Sequence, residues 1–409
     1  MSTNPKETPC FSFLVAGPEV NINNKKVFKM EKKEIRVCKH CVMNTSDPNL
    51  TFDENGVCDR CRDYEEKVLP WWNHGKEHEK ELEKLITDIK KSGEGKQYDC
   101  LIGLSGGLDS SYMLHMAVKE WGLRPFAFHI DCGWDLPVTV ENLKKMQAKM
   151  GIEIHNEVMD WEELRKMQIT FFKAGIGLDV PQDHAFVALV DHFAAKMGIK
   201  YILNGFNVAT EAVADPESWN EGGGSSSDSV YVKDVIRKNG GEMPKHYVWT
   251  TGFKHKFWLP YVKGVKTVTP LNLIPITRQQ MIDTLHQEYG YESYGQKHFE
   301  DEITKFIEGY WNPKRYGQDI RMAWNSSLVM TGQMTREEAL KQMEQPPMTE
   351  EEGQKMFKDI AKKLQISEEE LQSYFDKGYD GHKYRTSNWA YKIGIKLYQK
   401  LGLDHRIRK

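Results

Sequence analysis

Between Tyr98 and Phe206 the chain alternates short apolar runs with amphipathic stretches. The runs fall at Cys100–Leu104, Pro125–Ile130, Ile152–Val158 and Tyr201–Leu203, each of strand length. Helical stretches lie between them. Gly122, Gly151 and Gly198 each stand just before the next strand, where glycine supplies the left-handed conformation that closes a helix. Strands spaced this way need crossover connections, so the pattern predicts βαβ units and a parallel sheet. An α+β arrangement with some antiparallel strands is the alternative. Upstream, Leu82, Leu85, Ile86 and Ile89 recur at helical spacing within 76–91 and predict an amphipathic connecting helix. The polar run Ser92-Gly93-Glu94-Gly95-Lys96-Gln97 then marks a boundary. The stretch 215–245 is rich in Gly and Ser and reads as a mobile loop, either a linker or a lid. Beyond Thr277 the pattern is mainly helical. Thr349-x-x-Glu352 and Ser367-x-x-Glu370 match the capping box, and Pro346-Pro347 separates two helices.

These patterns divide the 409 residues into an N-terminal extension (1–30), a cysteine segment (31–66), a connecting helix (67–97), an α/β domain (98–276) and a helical C-terminal region (277–409). Hydrophobic residues at 39% and charged residues at 28% exclude a wholly disordered, collagenous or membrane-embedded chain. No stretch approaches the roughly 20 apolar residues that span a bilayer. The formal charge of −3 gives no global case for nucleic acid. The run Phe11 to Gly17 is apolar, but Pro9 and Pro18 bracket it and no clearly basic leader precedes it. A secretory signal is one reading; an extension on a cytoplasmic protein is the expected one.

Seven cysteines are too few for a disulfide scaffold in so long a chain. Four of them form Cys38-x-x-Cys41, then sixteen residues, then Cys58-x-x-Cys61. Each pair makes a tight knuckle whose two thiolates can bind the same ion, and Asp53-Glu54-Asn55-Gly56 can turn the chain back between them. Four soft thiolates suit tetrahedral Zn²⁺, and a closed shell of four ligands is structural, giving a zinc ribbon. An iron–sulfur centre could use the same ligands.

The second motif, Ser105-Gly106-Gly107-Leu108-Asp109-Ser110-Ser111, directly follows the first predicted strand and opens a helix. It therefore lies at the carboxyl edge of the sheet. Glycines there let backbone N–H groups approach an anion, and the helix N-terminus adds a favourable dipole. Ser105, Ser110 and Ser111 offer hydroxyls, and Asp109 is placed to hold Mg²⁺. A plain capped turn would need no such context. The lysine of the Walker A pattern is missing.

The loop resembles the pyrophosphate-binding loop, Ser-Gly-Gly-x-Asp-Ser, of the PP-loop ATP pyrophosphatase superfamily. Those enzymes adenylate a substrate and release pyrophosphate, on a Rossmann-like α/β fold. The resemblance implies ATP contacts at Ser105, Gly106, Gly107, Asp109, Ser110 and Ser111, and at His129 and Asp131 where the second strand closes. It implies others at Asn204, Gly205 and Glu211 after a later strand, since ligands of open α/β sheets bind beyond the carboxyl ends of strands.

The cysteine module and three further stretches narrow the resemblance: Gly295 to Glu300, Tyr310 to Gly317 with Arg321, and Ser326 to Leu340. Together they look like the N-acetyl sugar amidotransferases of bacterial surface-polysaccharide and nonulosonic-acid pathways, over about Arg36 to Leu340. One departure is Leu108, where many relatives carry a lysine. The resemblance implies attack of a sugar's acetamido oxygen on the α-phosphate of ATP, then displacement of AMP by ammonia to leave an acetamidino group. Position two is Ser2, so an N-terminal-cysteine glutaminase is missing. The family implies partner subunits similar to the glutaminase and cyclase-like subunits of imidazole glycerol phosphate synthase.

Lys297, His298, Lys314, Arg315 and Arg321 form a basic group for the phosphates of a nucleotide-linked sugar, or alternatively a solvated face with routine ion pairs. Asp183 and His184 offer acid–base groups, with an N-cap role as the other reading of Asp183. The rival function is tRNA sulfuration by a PP-loop enzyme, with Cys132 as the thiol. The chain is not basic and shows no nucleic-acid module, so no nucleic-acid partner is expected.

Overall fold

The computed structural model describes residues 11–22, 25–72, 75–216, 219, 224–387, 389 and 393, with side chains from Ile35 onward. It contains two compact units, each assembled from separated stretches of sequence. The described residues up to Trp71, Val208–Trp219 and Glu308–Gly353 form the first; Trp72–Asn207, Asn220–Ile307 and the chain from Gln354 onward contribute the second.

In the first unit the N-terminal extension is part of an antiparallel hairpin of β1 (Phe11–Ile22) and β2 (Lys25–Ile35), with a register shift between Ala16 and Glu19. The apolar run from Phe11 to Gly17 lies on β1, whose side chains are outside the described residues. The cysteine segment follows. Its core takes in Met43 and Leu50, Val213 from the 208–219 stretch, and Met322 and Ala323 from the helix Arg321–Met330.

The second unit is built on a five-stranded sheet of β3 (Cys100–Leu104), β4 (Pro125–Asp131), β5 (Ile154–Val158), β6 (Tyr201–Leu203) and β7 (Lys266–Val268). Its order is β5-β4-β3-β6-β7 and every pair is parallel, so the antiparallel alternative falls away. The order reverses direction at β3, which places a topological switch point between β3 and β6. The helices Pro137–Met150, Trp161–Ala174 and Val180–Met197 provide crossovers. Gly151 and Gly198 close two of them in the left-handed region, as the sequence pattern predicts. The helix Lys76–Ser92 lays Ile89, with Leu85 and Ile86, against the core formed by β3 and the helix Leu108–His115.

One element goes unannounced by the sequence pattern, and two expectations need correction. Strand β7 was not visible in the hydrophobic pattern because Lys266 and Thr267 are exposed edge residues, leaving Val268 as its one apolar position. The Gly/Ser-rich stretch is not simply a loop: Ser229–Lys238 is a helix, capped by Asp228, that fully buries Tyr231, Val232, Val235 and Ile236. Those four positions share one helical face. Gly222 and Gly223 lie outside the described residues. The reciprocal capping boxes are Thr277 with Gln280 and Thr335 with Glu338. Thr349 and Ser367 accept the N–H groups of Glu352 and Glu370 at 3.2 and 3.1 Å, the forward half of that motif. No helix among the described residues is long and apolar enough to cross a membrane.

Candidate nucleotide site and cysteine centre

The glycine loop turns from β3 into the helix Leu108–His115 at the switch point. Gly106 takes φ +83°, and a Cβ there would come within 2.2 Å of Thr139 Cγ2. At Gly107 the added carbon would meet Glu300 Oε1 at 2.8 Å and Ser105 Oγ at 3.0 Å. Gly205, after β6, would meet the backbone of Asp109 at 2.9 Å. Only glycine permits these approaches, and the loop is thereby bare backbone of the kind that cradles phosphate. Ser105 Oγ accepts the N–H of Gly107 at 3.1 Å, and Ser110 Oγ donates to Gly107 O at 3.2 Å. Ser111 is fully buried.

Asp109 is held from two directions. Its Oδ1 accepts from Asn207 Nδ2 at 2.9 Å, and its Oδ2 pairs with Lys297 Nζ at 3.0 Å. Lys297 sits in a turn beside His298, a non-glycine residue at φ +62°. Glu300 continues that turn; its carbonyl accepts from Leu136 N at 3.3 Å and Thr139 Oγ1 at 2.6 Å. Asn204 Oδ1 accepts the N–H of Phe206 at 2.7 Å, shaping the β6 end of the crevice.

His129 is buried, with Nδ1 against Leu104 O and Nε2 against Asp135 Oδ2, both at 2.8 Å. Burial opposes its protonation, but the Asp135 carboxylate outweighs this and the net direction is upward. Asp131 accepts the N–H of Gly133. His184 is wholly buried; Nδ1 faces Ser226 O at 2.5 Å and Nε2 accepts the N–H of Thr250 at 3.3 Å. Burial drives its pKa down to about 4, so the ring is neutral and both nitrogens serve the fold. Asp183 is exposed in the first turn of the helix Val180–Met197; the N-cap is Asp179, which corrects the capping reading of Asp183.

In the first unit Cys38, Cys41, Cys58 and Cys61 are fully buried, with Sγ–Sγ distances of 3.8 Å (38–61), 3.6 Å (41–58) and 3.6 Å (58–61). A tetrahedral ion with metal–sulfur bonds of about 2.3 Å needs sulfurs roughly 3.8 Å apart, so the four can hold one thiophilic metal. Cys38 Sγ accepts N–H groups from His40 and Cys58 at 3.3 Å each. The clustered thiols pull the Cys38 and Cys58 thiols below their ordinary value and push those of Cys61 and, with burial leading, Cys41 above it, since four adjacent thiolates repel one another without a cation between them. The turn at Asp53 forms as expected, its Oδ1 accepting from Asn55 and Val57 N–H. Arg336 donates to the carbonyls of Cys38 and Cys41 at 2.7–3.2 Å and locks the first knuckle to its helix.

The basic residues separate. Lys297 and His298 belong to the second unit; Lys314, Arg315 and Arg321 belong to the first, as does Glu211. Arg321 is buried and bonded to Asp319 and to the carbonyls of Gln342 and Gln345, so its role there is structural. Lys314 pairs with Glu350 and donates to Tyr310 Oη. Asn207 and Glu300 carry no role in the sequence pattern; the fold brings them to the glycine loop, Asn207 onto Asp109 and Glu300 beside Gly107.

Two family models match the chain. Residues 99–175 match the phosphoadenosine phosphosulfate reductase domain, and residues 300–400 match the C-terminal domain of the WbpG-like proteins of LPS biosynthesis. The chain thus combines a stretch similar to a PP-loop-type domain with one similar to the WbpG-like C-terminal domain. An uncharacterized protein of Methanocaldococcus jannaschii is 22% identical over 169 residues, which is 41% of this chain. The chain spans 58% of the length of that curated relative. The NMN synthetase of Francisella tularensis is a distant likeness, at 13% identity and a TM-score of 0.26, covering 54% of this chain and 99% of that one. The parallel sheet and the loop at its switch point, with the domain match over 99–175, make this a PP-loop-like α/β fold.

Proposed function

We propose that the chain is an ATP-dependent amidotransferase that converts the N-acetyl group of a sugar, one carried on a nucleotide, to an acetamidino group in lipopolysaccharide or related surface-polysaccharide biosynthesis. The observation that carries this reading is the pairing of a PP-loop at the switch point with a WbpG-like C-terminal region in one chain. An amide carbonyl is a poor electrophile. Attack of its oxygen on the α-phosphate of ATP expels pyrophosphate and turns that oxygen into part of a leaving group. Ammonia then adds to the imidate carbon, and AMP departs with the original oxygen.

The chain's own residues divide this work. The loop N–H groups around Gly106 and Gly107, with Ser105 and Ser110, bind and orient the departing pyrophosphate. Asp109 is the proposed ligand of Mg²⁺, which when bound would neutralise charge on the phosphates. Lys297 and His298 offer cations for the sugar nucleotide. Asp183, with its exposed carboxylate, is the proposed acid–base group, while His184 positions the segments that carry Ser226 and Thr250. The four cysteines would hold a structural Zn²⁺. Ammonia would come from separate glutaminase and cyclase-like subunits, and the protein would act in the cytoplasm.

The test is pyrophosphate release with Mg-ATP, ammonium chloride and a panel of N-acetylated UDP-, GDP- and CMP-sugars, wild type beside Asp109→Ala. Sugar-dependent pyrophosphate and AMP, with a product about one mass unit lighter as O is exchanged for NH, support the reading. Pyrophosphate elicited by unmodified tRNA and by no sugar would sink it in favour of sulfur transfer. The setting of Cys132 works against that rival: burial, with Asp135, Asp301 and Asp131 nearby, pushes its thiol well above the ordinary range, away from a reactive thiolate.

A further inference from the structure

Between Glu242 and Asp283 forty residues pass without an acidic side chain, while five lysines and one arginine fall among them. In a chain of net charge −3 this is a local reversal of sign. The helix Lys254–Val262 lies in that stretch, in the second unit. Its backbone closes i→i+5 hydrogen bonds, as Lys263 N does to Trp258 O at 3.0 Å, so residues four and five apart share a face. Leu259 is buried, and His255 is held on the buried Asp191 at 2.8 Å, which fixes one face against the helix Val180–Met197. Phe253, Phe257, Trp258, Tyr261 and Val262 are linked by steps of four and five and make the other face.

That second face is apolar where a surface helix is ordinarily polar. Phe253 and Val262 are 37% and 59% exposed, and Phe257, Trp258 and Tyr261 are half-buried. The rings of Phe253, Phe257 and Tyr261 follow one another at 5.0 and 5.4 Å and form a continuous ridge. Lysines border it. Lys256 and Lys263 are exposed, and Lys263 lies over the Trp258 ring at 4.9 Å. Lys200 and Lys266, also exposed, stand where β6 and β7 begin; Lys200 donates to Lys263 O at 2.6 Å, and Lys266 lies over the Tyr201 ring. An apolar ridge fringed by cations, with no acid in the stretch, is complementary to a surface that is apolar within and anionic at its boundary. A bilayer with anionic headgroups is such a surface: aromatic rings settle at its interface, and lysine stems reach from there to the phosphates. A protein partner would take roughly 20–30 residues of contact, more than a nine-residue helix offers. Nucleic acid would leave Val262, the most exposed of the five, without use; single strands bind on ring faces free to stack, and here the rings lie against one another.

We infer that the helix Lys254–Val262 is a membrane-docking ridge, seating the protein on an anionic lipid surface with its aromatic side chains among the headgroups and Lys256, Lys263, Lys200 and Lys266 on lipid phosphates. Because β6 and β7 run parallel to β3, the edge where they begin is opposite the edge that carries the glycine loop. Docking by the first edge leaves the loop facing away from the bilayer, so its ligands reach it from the aqueous phase. The inference does not depend on the reaction proposed above.

The test is cosedimentation of the full-length chain with vesicles of phosphatidylcholine, alone or mixed with phosphatidylglycerol. The mixed vesicles should bind it at least about tenfold more tightly than the neutral ones, and added salt should weaken that binding as it screens the lysines. Lys256→Gln with Lys263→Gln should weaken it about tenfold or more, and Phe253→Ser with Val262→Ser by a similar factor. All four side chains are exposed, so both double variants should melt at the wild-type temperature, which separates lost binding from lost fold. A wild-type chain that does not sediment with the mixed vesicles overturns the inference. So does binding that either double variant leaves intact, which would put the lipid contact elsewhere or make it charge alone. Capture of poly-glutamate or of tRNA in place of vesicles, lost in the lysine variant, would overturn it in favour of an acidic protein or a nucleic acid.

Discussion

The ammonium of Lys297 lies 3.0 Å from Oδ2 of Asp109, although 188 residues separate the two in sequence. The pyrophosphate loop itself carries Leu108 where many similar chains carry a lysine, and Leu108 packs into the core instead. The fold restores a positive charge to the loop from a distant turn. Lys297→Met should therefore slow sugar-dependent pyrophosphate release on the order of 100-fold, the scale of one lost charge-stabilising donor. Lys297→Arg should lose less. Steady-state rates equal to wild type in the Met variant would show that the charge is idle.

Neighbouring glycines should fail in different ways. Gly106→Ala forces a side chain into φ +83° and into Thr139, so it should cost about 1–3 kcal/mol of stability, read by denaturant unfolding. Gly107 sits at φ −68°, which alanine adopts without strain. Its methyl would instead occupy the space between Glu300 and Ser105, so ATP affinity should fall about tenfold or more with little change in melting temperature. A loss of stability in Gly107→Ala as large as in Gly106→Ala would contradict this division.

Metal removal should act on the first unit. Cys58→Ser breaks a four-sulfur shell, and bound zinc, measured by elemental analysis, should drop to background while limited proteolysis opens the 36–64 segment. Arg336→Ala removes hydrogen bonds to the Cys38 and Cys41 carbonyls and should cost about 1–3 kcal/mol while zinc remains bound. Zinc retained at full occupancy in Cys58→Ser would refute the four-thiolate site.

His184 ties stability to pH. Its folded pKa, about 4, lies below the ordinary 6.5, so the unfolded chain binds more protons between those values. The resulting stability is fully present above about pH 6.5 and is lost as pH falls through about 4, by up to ~3 kcal/mol. Asp301 opposes it: burial raises its carboxyl to about 7, a contribution lost as pH rises through that value. Comparing His184→Gln with wild type in urea across this range isolates the histidine. A difference between them that is flat with pH would be inconsistent with a neutral native ring.

The strands that line the site were legible because β3, β4 and β6 are buried and read as apolar runs. The cysteine spacing and the glycine loop were legible for a similar reason, since each is a local pattern whose geometry a few residues decide. What escaped the sequence was long-range. Arg321 looks like a phosphate ligand until its partners, Asp319 and two carbonyls, are seen around it. His184 looks like an acid–base group until Ser226 and Thr250 are found on its two nitrogens. Glu300 showed no local signal at all, because what sets it apart is a missing partner in a folded environment.

The clasp of Arg336 on the first cysteine knuckle has a consequence for biosynthesis, because Arg336 follows Cys38 by 298 positions. At about 5–20 residues per second, a ribosome delivers that arginine roughly 15–60 s after the cysteine. The knuckles emerge close together and could capture an ion at once, but the helix that clamps them must wait for most of the sheet-bearing unit to be made. The emerging chain is therefore best protected if the proposed metal is loaded first, as a staple on an unfinished unit.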